Sequence, residues 1–463
     1  MTGDGIILWE AHRGGGGYEL PESTPVGFEY AWMLGGTPEA DVNATADGRL
    51  LSLHDGKLGR TAREIDEETG RTPIAELPYA RVRRCDIGSD RYPEQVIPSI
   101  DELLAKLRGD VRKEIVIDYK NAPLEQLSEL IARFGDSHTM LQFFQLIDQT
   151  QILPLGTLWV SDGLYITKTT PENKEILGLR IVAINDTPIA TVIDSLSTLF
   201  TIDNQAIVKS IVPETVMSLQ ALEHFGFADS RQVKLMLSDG KTQVVKPIHP
   251  DNAFVNFRPD SLAFATANRK VLFTSRYFPE DRIYYMLYNK CHSRELAAER
   301  GDAEAAQKLP SFEAFTRKAF ETLNDKPVDK LIFDMRYNGG GNSSQGTEFV
   351  ERLAQALKQH PQVAVYVVLG RDTFSSAILN AMDFKQLTNA VFVGEETAGK
   401  PNHFGEVRSF QLPSSKVLVN YSTKYFKRSE KEIETIEPDM SIEMSFADFK
   451  KGVDPVFEWI KAQ

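Results

Sequence analysis

The spacing of apolar residues changes twice along the chain, and this change limits the folds that the sequence can adopt. Residues 5–133 alternate short apolar runs with helical periodicity, which is typical of βα units around a parallel sheet. From Asp162 the runs are short and turns are frequent, and Asp239-Gly240 predicts a hairpin. Longer βα units return from about Ala263. The sequence therefore predicts a multidomain α/β protein with a β-rich region between two βα regions.

The apolar runs predict a specific set of elements. In the first region the predicted strands are 6–11, 39–44, 50–54 and 114–119. The predicted helices of the same region are 24–34, 99–107 and 124–134. In the last region the strongest predicted strands are 330–335, 363–369 and 390–393. Catalytic groups of βα folds lie at the carboxyl ends of parallel strands, so the polar residues there are the candidates for a site.

The composition argues against several kinds of partner and site. Among the 463 residues, 52 Lys and Arg stand against 65 Asp and Glu, and the formal charge of −13 disfavours nucleic acid and anionic membranes as partners. No apolar run approaches the roughly 20 residues of a membrane helix. Cys85 and Cys291 lie in different predicted domains, so neither a disulfide framework nor a cysteine metal site is expected. The N-terminus has no secretory signal pattern, so we expect a cytoplasmic location, or a periplasmic or secreted one if a leader precedes this chain.

Reactive side chains lie in or at the end of the four predicted strands of the first region. They are His12 and Arg13, then Glu39 and Asp41, then His54 and Asp55, and lastly Asp118 and Lys120. Glu39 and Asp41 are two positions apart on a strand, so both carboxylates face one side, where a hard cation could bind them together with Asp118. Together with two histidines for proton transfer, this set has the parts that phosphodiester hydrolysis requires.

Each of these residues alone also has a structural interpretation. Asp55 and Glu22 can cap helices, His54 can be a hydrogen-bonded residue at a strand end, and Arg13 can pair with a nearby carboxylate. The ordered set is more specific. The segments AHRGGGGYELPEST, GGTPEADVNATADGRLLSLHDGKLGRTA and IVIDYKN, over about residues 5–132, resemble the glycerophosphodiester phosphodiesterase family.

This resemblance implies a role for each residue of the set. The matches to the two catalytic histidines are His12 and His54, and the matches to the phosphate-binding residues are Arg13 and Lys120. The implied ligands of a Mg or Ca ion are Glu39, Asp41 and Asp118, and the match to the glutamate of the family's PEN motif is Glu22. The family fold is an eight-stranded β/α barrel of about 250 residues. Residues 1–133 are therefore expected to form the N-terminal half of a TIM-type barrel, with a glycerophosphodiester as its ligand.

A second set of candidate residues follows the strands of the last region. The segment KLIFDMRYNGGGN runs into Gly339 and Gly340, where backbone N–H groups can point at a developing oxyanion. The next strand leads into RDTFSSAILNAM and places Ser375 and Ser376 at a strand-to-helix turn. Lys400 follows a later strand, and a desolvated lysine can act as a base. Taken alone, two serines before a helix are more often N-caps, and NGGGN could be a phosphate loop.

These segments, with FGDSHT and GEETAGKPNHFGE, resemble the tail-specific or C-terminal-processing serine peptidase family, including its tricorn-like members, over about residues 134–463. The resemblance implies a crotonase-like β/α domain without a cofactor. It also implies that Ser375 is the nucleophile and the Ser376 amide an oxyanion donor, or the reverse after a shift of one residue. Two candidates for the general base remain, Lys400 of a serine/lysine dyad and His138 beside Ser137. His138 can instead be a structural histidine after a turn, and His403 and Glu406 can cap a helix or line the site.

The middle region, with DGLYIT and ILGLRIVAINDTPIATVIDSL, resembles the PDZ-like insert of such peptidases. A PDZ groove binds a peptide as an added strand, and a β-rich spacer without a ligand is the alternative interpretation. The predicted divisions are a half barrel at 1–133, a linker with FGDSHT at 134–160, a PDZ-like module at 161–255 and a peptidase domain at 256–463.

The combined prediction is a serine-type peptidase that cleaves unstructured polypeptides or peptide C-termini, fused to a metal-dependent half barrel. Two alternatives remain open. The main activity could be phosphoric diester hydrolysis that yields glycerol 3-phosphate and an alcohol, or the chain could be a non-catalytic peptide-binding protein. An open half barrel needs a hydrophobic cover, which the peptidase domain or a second subunit of an oligomer could supply.

Overall fold

The structure is a computed structural model, which describes residues 10–16, 20–107, 113, 115–121, 124–132, 135–142, 152–228, 232–411 and 417–463. The chain divides into two compact units, Met1–Leu127 and Ser128–Gln463. Both units combine helices with strands, so the predicted mixed α/β class is confirmed. Within the described stretches, no helix is both long enough and apolar enough to cross a membrane.

The first unit is built around a small sheet. Its strands are β1 Glu10–Ala11, β2 Thr37–Ala44, β3 Leu50–Ser52 and β4 Val116–Asn121. Its helices are α1 Pro25–Met33, α2 Glu67–Arg71, α3 Tyr79–Val82 and α4 Ile100–Leu107, and α5 Leu124–Ala132 begins in it. Short 3-10 turns span His12–Gly15 and Ile74–Glu76. Residues 6–9 of the first predicted strand lie outside the described residues.

Strand β2 is the centre of this sheet, because the other three strands all pair with it. β1 and β4 run parallel to β2, as the βα pattern predicts. β3 is antiparallel, with Val42 opposite Ser52, so the prediction of a parallel arrangement is wrong at this strand. Residues 45–49 are too few for a parallel crossover, and Gly48 has the positive φ of a tight turn, 76°. The core of the unit includes Leu51, Leu53, Leu58, Ile74, Val82, Ile87 and Ile97.

The second unit contains the remaining elements. Its strands are β5 Met140–Leu141, β6 Leu155–Val160, β7 Gly163–Thr169, β8 Ile181–Ile184, β9 Thr187–Pro188, β10 Val233–Leu237, β11 Thr242–Val245, β12 Val255–Asn256, β13 Phe273–Phe278, β14 Ile283–Tyr288, β15 Lys330–Asp334, β16 Ala364–Leu369, β17 Val391–Gly394, β18 His403–Gln411, β19 Leu418–Phe426 and β20 Met440–Ser441. Its helices are α6 Ile189–Ser197, α7 Gln205–Thr215, α8 Leu219–His224, α9 Phe264–Ala267, α10 Arg294–Glu299, α11 Ala303–Lys308, α12 Phe312–Asp325, α13 Ser344–Ala356, α14 Ser376–Leu387, α15 Phe446–Lys451 and α16 Pro455–Ala462. A 3-10 turn spans Pro171–Ile176.

The main sheet of this unit has the strand order β13-β14-β15-β16-β17-β20. All neighbours are parallel except the edge strand β13. Its central strands are continuous apolar runs because helices cover both faces, and every residue of β14 is buried. Phe333 packs into the core on one face, and Ile332 packs into the core on the other. The carboxyl ends of β15 and β16 lead into the glycine turn and the serine turn, respectively.

Smaller sheets make up the middle of the unit. Their strand orders are β11-β10-β8-β9 and β12-β7-β6, and both contribute to one core that also includes residues of α6 to α8. The predicted hairpin is confirmed, because β10 and β11 pair antiparallel around Gly240, whose φ is 84°. A third sheet, β18-β19-β5, brings the strand after FGDSHT next to the long β18-β19 hairpin. The predicted divisions at 160/161 and 255/256 fall inside this one compact unit and remain predictions.

Candidate functional site

Three carboxylates converge in the first unit, on two adjacent parallel strands. Glu39 and Asp41 lie on one face of β2, and Asp118 stands opposite Asp41 on β4. One oxygen of each lies within 4.8 Å of the others. Glu39 is 8% exposed and Asp41 is fully buried. The alternation of side chains along a strand produces this convergence, and the structure therefore brings the three predicted metal ligands together.

The charge of Asp41 is poorly compensated by the protein alone. Burial raises the pKa of Asp41, Lys120 opposes this effect and the negative charge of Glu39 adds to it, so that the pKa lies above its ordinary value. The Nζ of Lys120 lies 3.1 Å from Asp41 Oδ1 and 2.5 Å from Asp118 Oδ2. Within the described stretches, neither Asp41 oxygen has a hydrogen bond of acceptable geometry. A set of oxygen donors that includes a buried carboxylate without such a bond fits Mg²⁺ or Ca²⁺.

The turn after β1 places the HRG segment beside these carboxylates. The backbone N–H of Arg13 donates to Glu39 Oε2 at 3.0 Å, and Arg13 Nη1 donates to Glu22 Oε2 at 3.1 Å. Arg13 has a φ of 52°, which is uncommon for a residue with a side chain. The Nε2 of His12 lies 3.7 Å from Glu39 Oε2, and the His12 side chain is 69% exposed. His12 is therefore accessible to a substrate at the carboxylate cluster.

A chain of ion pairs holds the second predicted histidine. His54 Nδ1 lies 2.8 Å from Asp55 Oδ1, and Arg60 Nε donates to Asp55 Oδ2 at 2.5 Å. Arg60 also donates to both oxygens of Glu22. The hydrogen bond from Arg60 is the largest of the effects that lower the pKa of Asp55 to about 2. The ionised Asp55 favours a proton on His54 Nδ1 and leaves Nε2 for proton transfer. Arg60 lies in the quoted segment that ends GRTA, but the sequence pattern gave it no role.

In the second unit, the turn between β16 and α14 gives Ser375 an unusual backbone. Its φ is 55° and its ψ is −123°, a combination that residues other than glycine rarely adopt. Although Ser375 precedes α14, its side chain accepts no hydrogen bond from the N–H groups of the helix. Ser376 differs, because it is buried and its Oγ donates to Gly341 O at 2.8 Å. This contrast favours Ser375 as the nucleophile and disfavours its interpretation as an N-cap.

The glycine turn lies directly against Ser375. Gly340 has a φ of 97°, and a Cβ on it would lie 2.7 Å from Ser375 Cβ and 3.1 Å from Ser376 N, so only glycine fits. The N–H of Gly340 donates to Asn338 Oδ1 at 2.9 Å, so the structure does not support its predicted role as an oxyanion donor. In the described part of the chain, the N–H groups of Gly339 and Ser376 make no hydrogen bond. These two groups are the donors left for an oxyanion.

His138 packs beside the serine turn. Its ring stacks on Phe374, the residue before Ser375, with centroids 4.4 Å apart, and on His403 at 5.5 Å. His138 is 7% exposed, and neither ring nitrogen has a hydrogen-bond partner among the described residues. Burial first, and then the charge of His403, lower the pKa of His138 to about 4, while Asp136, 3.9 Å from Nδ1, opposes them. His138 is therefore neutral at pH 7 and able to accept a proton.

Lys400 is held by carboxylates. Its Nζ lies 2.9 Å from Asp203 Oδ1 and 3.2 Å from Glu434 Oε2. Burial alone would lower the pKa of Lys400, but the two carboxylates raise it above its ordinary value. The lysine of a serine/lysine dyad must be neutral to take the serine proton, and the raised pKa of Lys400 disfavours this role. The partner Asp203 is far away in the sequence, and no local pattern could have shown this ion pair.

The other predicted residues of this site have different environments. His403 is buried, and its Nδ1 donates to the carbonyl oxygen of Lys400 at 2.8 Å, which leaves Nε2 as an acceptor. Ser137 is 4% exposed and lies next to His138 in the sequence. The side chain of Glu406 is 64% exposed and lies 3.9 Å from Lys424 across the β18-β19 hairpin. The structure thus brings His138 and His403 together and leaves Glu406 on the surface.

Comparison with known proteins identifies similarity in the N-terminal part of the chain. The model of the "Glycerophosphoryl diester phosphodiesterase family" matches residues 12–177. A glycerophosphodiester phosphodiesterase of Bacillus subtilis (strain 168) is 34% identical over 110 residues, which cover 21% of this chain and 35% of the relative. One from Bacillus altitudinis is 34% identical over 116 residues, which cover 24% of this chain and 44% of the relative. The chain therefore spans about a third to a half of the length of these curated relatives.

Solved structures resemble a larger part of the chain. Mature CPAF complexed with lactacystin has a TM-score of 0.49 and 13% identity, over 73% of this chain and 87% of CPAF. The photosystem II D1 C-terminal processing protease has a TM-score of 0.31 and 15% identity, over 69% of this chain and 81% of the protease. The chain therefore carries a region that matches the glycerophosphoryl diester phosphodiesterase family, and over most of its length it has structural similarity to CPAF and to a C-terminal processing protease.

Proposed function

We propose that the chain is a serine-type peptidase, with Ser375 as the nucleophile and His138 as the base. The observation that carries the proposal is the serine turn itself. Ser375 has a strained backbone, and its side chain caps no N–H group of α14. The ring stacked on the preceding Phe374 is that of His138, which is buried, neutral and without a hydrogen-bond partner among the described residues. A hydroxyl group and a proton acceptor in this arrangement support nucleophilic catalysis.

The proposed reaction follows from these groups. Ser375 Oγ attacks the carbonyl carbon of a peptide bond, and its proton passes to His138. The N–H groups of Gly339 and Ser376 donate to the oxyanion of the tetrahedral intermediate. The intermediate collapses as His138 returns the proton to the leaving amine, which leaves an ester on Ser375. Water, deprotonated by His138, then hydrolyses the ester, releases the carboxylic acid and restores Ser375.

The substrate we propose is an unstructured polypeptide or a peptide C-terminus. We also propose that the main sheet of the second unit is crotonase-like and that the β6–β12 region is PDZ-like. The parallel β14–β17 order supports the first assignment, and the small antiparallel sheets support the second. In this proposal the PDZ-like region binds an extended segment of the same polypeptide.

A fluorophosphonate probe tests the assignment of the nucleophile. We expect labelling of the wild-type chain and of Ser376→Ala, and no labelling of Ser375→Ala. Ser376→Ala is the matched control, because it removes the neighbouring hydroxyl and only its hydrogen bond to Gly341. Labelling that persists in Ser375→Ala and disappears in Ser376→Ala would assign the role to Ser376. Hydrolysis of an unfolded protein such as reduced casein should likewise be retained in Ser376→Ala and lost in Ser375→Ala.

A second candidate function, hydrolysis of glycerophosphodiesters by the first unit, is favoured by the Glu39, Asp41 and Asp118 cluster. We propose that these carboxylates hold Mg²⁺ or Ca²⁺, which would supply positive charge beside the phosphate. Arg13 and Lys120 would bind the phosphate, and His12 and His54 would transfer protons. The products would be glycerol 3-phosphate and an alcohol. The match of residues 12–177 to the family supports this proposal, although the chain covers only part of its relatives.

Hydrolysis of glycerophosphocholine in the presence of Mg²⁺ or Ca²⁺ tests this second function. We expect slow turnover that is lost in His12→Ala, in His54→Ala and after chelation of the metal. Asp90→Asn is the matched control, because Asp90 is a carboxylate of the same unit whose side chain is 98% exposed. Turnover that is unchanged by chelation or by both histidine variants would contradict the assignment.

A further inference from the structure

A cavity of about 390 Å³ lies in the second unit between α10, α12 and α13. Neither serine of the TFSSA turn, and neither His138 nor Lys400, lines it. Leu296, Phe312 and Phe349 give it an apolar wall. The polar part of its lining comes from side chains on all three helices. A volume of this size can hold the end of a long side chain or a small organic molecule.

The charge of the lining is predominantly negative. The carboxylates that line the cavity are Glu295, Glu299, Glu313 and Glu348, and the cation that lines it is Arg352. Glu295 is occupied, because its two oxygens accept from Ser311 Oγ and Phe312 N–H. Within the described stretches, Glu299 and Glu348 have no ion-pair partner, and Glu313 has only Arg317 at 3.9 Å. The guanidinium of Arg352 lies over the ring of Phe320 at 4.9 Å.

A buried acceptor belongs to another side chain of the same lining. Gln345, on the first turn of α13, lines the cavity and is only 9% exposed. Its Nε2 donates to the hydroxyl of Tyr288 at 3.0 Å, whereas its Oε1 is buried and has no hydrogen-bond partner in the part of the chain that the structure describes. A buried amide oxygen without a donor is costly, and a ligand N–H group would satisfy it. This observation is independent of the acidic walls, and it also favours a ligand with N–H donors.

The cavity is close to the glycine turn that borders Ser375. Gly341 pairs with Cys291, since Cys291 N–H donates to Gly340 O at 3.1 Å and Asn342 N–H donates to Cys291 O at 2.8 Å. Ser293, two residues after Cys291, and Ser344, which begins α13, both line the cavity. A group bound in it would therefore lie near the chain segments that form one side of the serine turn.

We propose that this cavity binds an organic cation, an ammonium or guanidinium group that donates to Gln345 Oε1 and pairs with Glu348 and Glu299. The group can come from a lysine or arginine side chain of a polypeptide or from a free polyamine. The polypeptide source rests on the proposed peptidase function, whereas binding of the cation does not. Inorganic cations lack the N–H donor that Oε1 requires and the apolar stem that Phe312 and Phe349 would cover.

Isothermal titration of the full-length protein with three probes tests the proposal. The probes are Nα-acetyl-lysine methylamide, Nα-acetyl-arginine methylamide and spermidine, with MgCl₂ as the inorganic comparison. We expect Gln345→Met to lower the affinity for the probe that binds about tenfold, because it removes a hydrogen bond to a charged group. Glu348→Gln should lower the affinity for the same probe about threefold, because it removes one partner of a partly exposed ion pair. Glu351→Gln, on the same helix but outside the cavity lining, should leave the affinity unchanged.

The outcomes separate the two sources and can overturn the site. Tighter binding of the side-chain analogues assigns the cation to a polypeptide, and tighter binding of spermidine assigns it to a polyamine. Gln345→Glu retains the shape of the side chain and adds a negative charge, so it should raise the affinity for the same probe. Absence of binding by all three probes, equal effects of Glu348→Gln and Glu351→Gln, or binding of Mg²⁺ with the same response to the variants overturns the proposal. Because titration requires no turnover, its failure is distinct from failure of the proposed peptidase activity.

Discussion

At the scale of single residues, the choice between two bases depends on which one is neutral. Burial lowers the pKa of His138 and makes it an acceptor at every pH above about 4. Lys400 has the opposite environment, because two carboxylates stabilise its ammonium form. The sequence could place both residues near the nucleophile through motif order. It could not give their charge states, because those depend on burial, on His403 beside His138, and on Asp203 and Glu434 beside Lys400, which only the folded chain brings together.

The pH dependence of kcat/KM should follow His138. A base must be deprotonated, so a lowered pKa moves the rising limb to lower pH, to about 4, and leaves a plateau through pH 6 to 8. A lysine base whose pKa is raised would instead give a limb above about 10.4. Cleavage of a neutral peptide ester between pH 3.5 and 11 measures this. A limb in the alkaline range, with no change near pH 4, would return the role of base to Lys400.

Removal of Lys400 should act mainly on the free energy of unfolding and only secondarily on the reactivity of Ser375. The side chain of Asp203 is 3% exposed, so Lys400→Met leaves a buried carboxylate unpaired and should cost about 3 kcal/mol or more of unfolding free energy. In the double variant Lys400→Met/Asp203→Asn that carboxylate is gone, and we expect most of the stability and the fluorophosphonate labelling to return. Urea unfolding and labelling rate together measure this, with His138→Gln as the comparison that should remain unlabelled. A stable double variant that does not label would identify Lys400 as catalytic.

At the scale of elements, apolar runs predicted where strands lie better than how they pair. β2, β4 and β15 to β17 were predicted to within about three residues at each end, because each contains a short apolar run bounded by polar residues. β3 was predicted as a strand, but its direction depends on the length of the preceding connection, which the run itself does not encode. The convergence of Glu39 and Asp41 on one face was predictable because it follows from strand geometry alone. The stacking of His138 on Phe374 was not, since it joins segments from distant parts of the chain.

The approach of the glycine turn to the serine turn can be tested with two glycines of similar backbone. Gly340 and Gly301 both have positive φ, 97° and 78°, but a Cβ on Gly301 would meet no described residue within 4 Å. Gly301→Ala should therefore cost only about 1 kcal/mol, the strain of its backbone. Gly340→Ala adds a collision with Ser375 and should cost more and abolish probe labelling. Thermal unfolding and labelling of both variants measure this, and equal behaviour of the two would show that close contact with Ser375 is unimportant.

At the scale of the whole molecule, the chain holds two candidate sites in two compact units. Each site can be perturbed by its own ligand, a divalent metal in the first unit and a serine-directed probe in the second. In the carboxylate cluster of the first unit, burial and the charge of Glu39 keep the pKa of Asp41 above its ordinary value despite the nearby Lys120. The serine site of the second unit needs no ion in the proposed reaction. A divalent metal should therefore act on the hydrogen exchange of β2 and β4, and a serine-directed probe should act on the turn before α14.

The effect of Asp41 on stability should change sign when metal is added. The pKa of Asp41 is raised in the folded protein, so ionisation is harder there than in the unfolded chain, and stability falls as pH rises through the raised pKa. At pH 7 in EDTA, Asp41→Asn should therefore protect β2 and β4 better than the wild-type residue. In Mg²⁺ or Ca²⁺ at about 100 times Kd, binding should add about 2.7 kcal/mol to the wild type and little to the variant, so the order should reverse. Hydrogen exchange of β2 and β4 peptides measures both conditions, and Asp90→Asn is the control that should not change sign. If Asp41→Asn ranks the same with and without metal, the carboxylates do not form a metal site, and the proposed phosphodiesterase chemistry loses the charge that it needs at the phosphate.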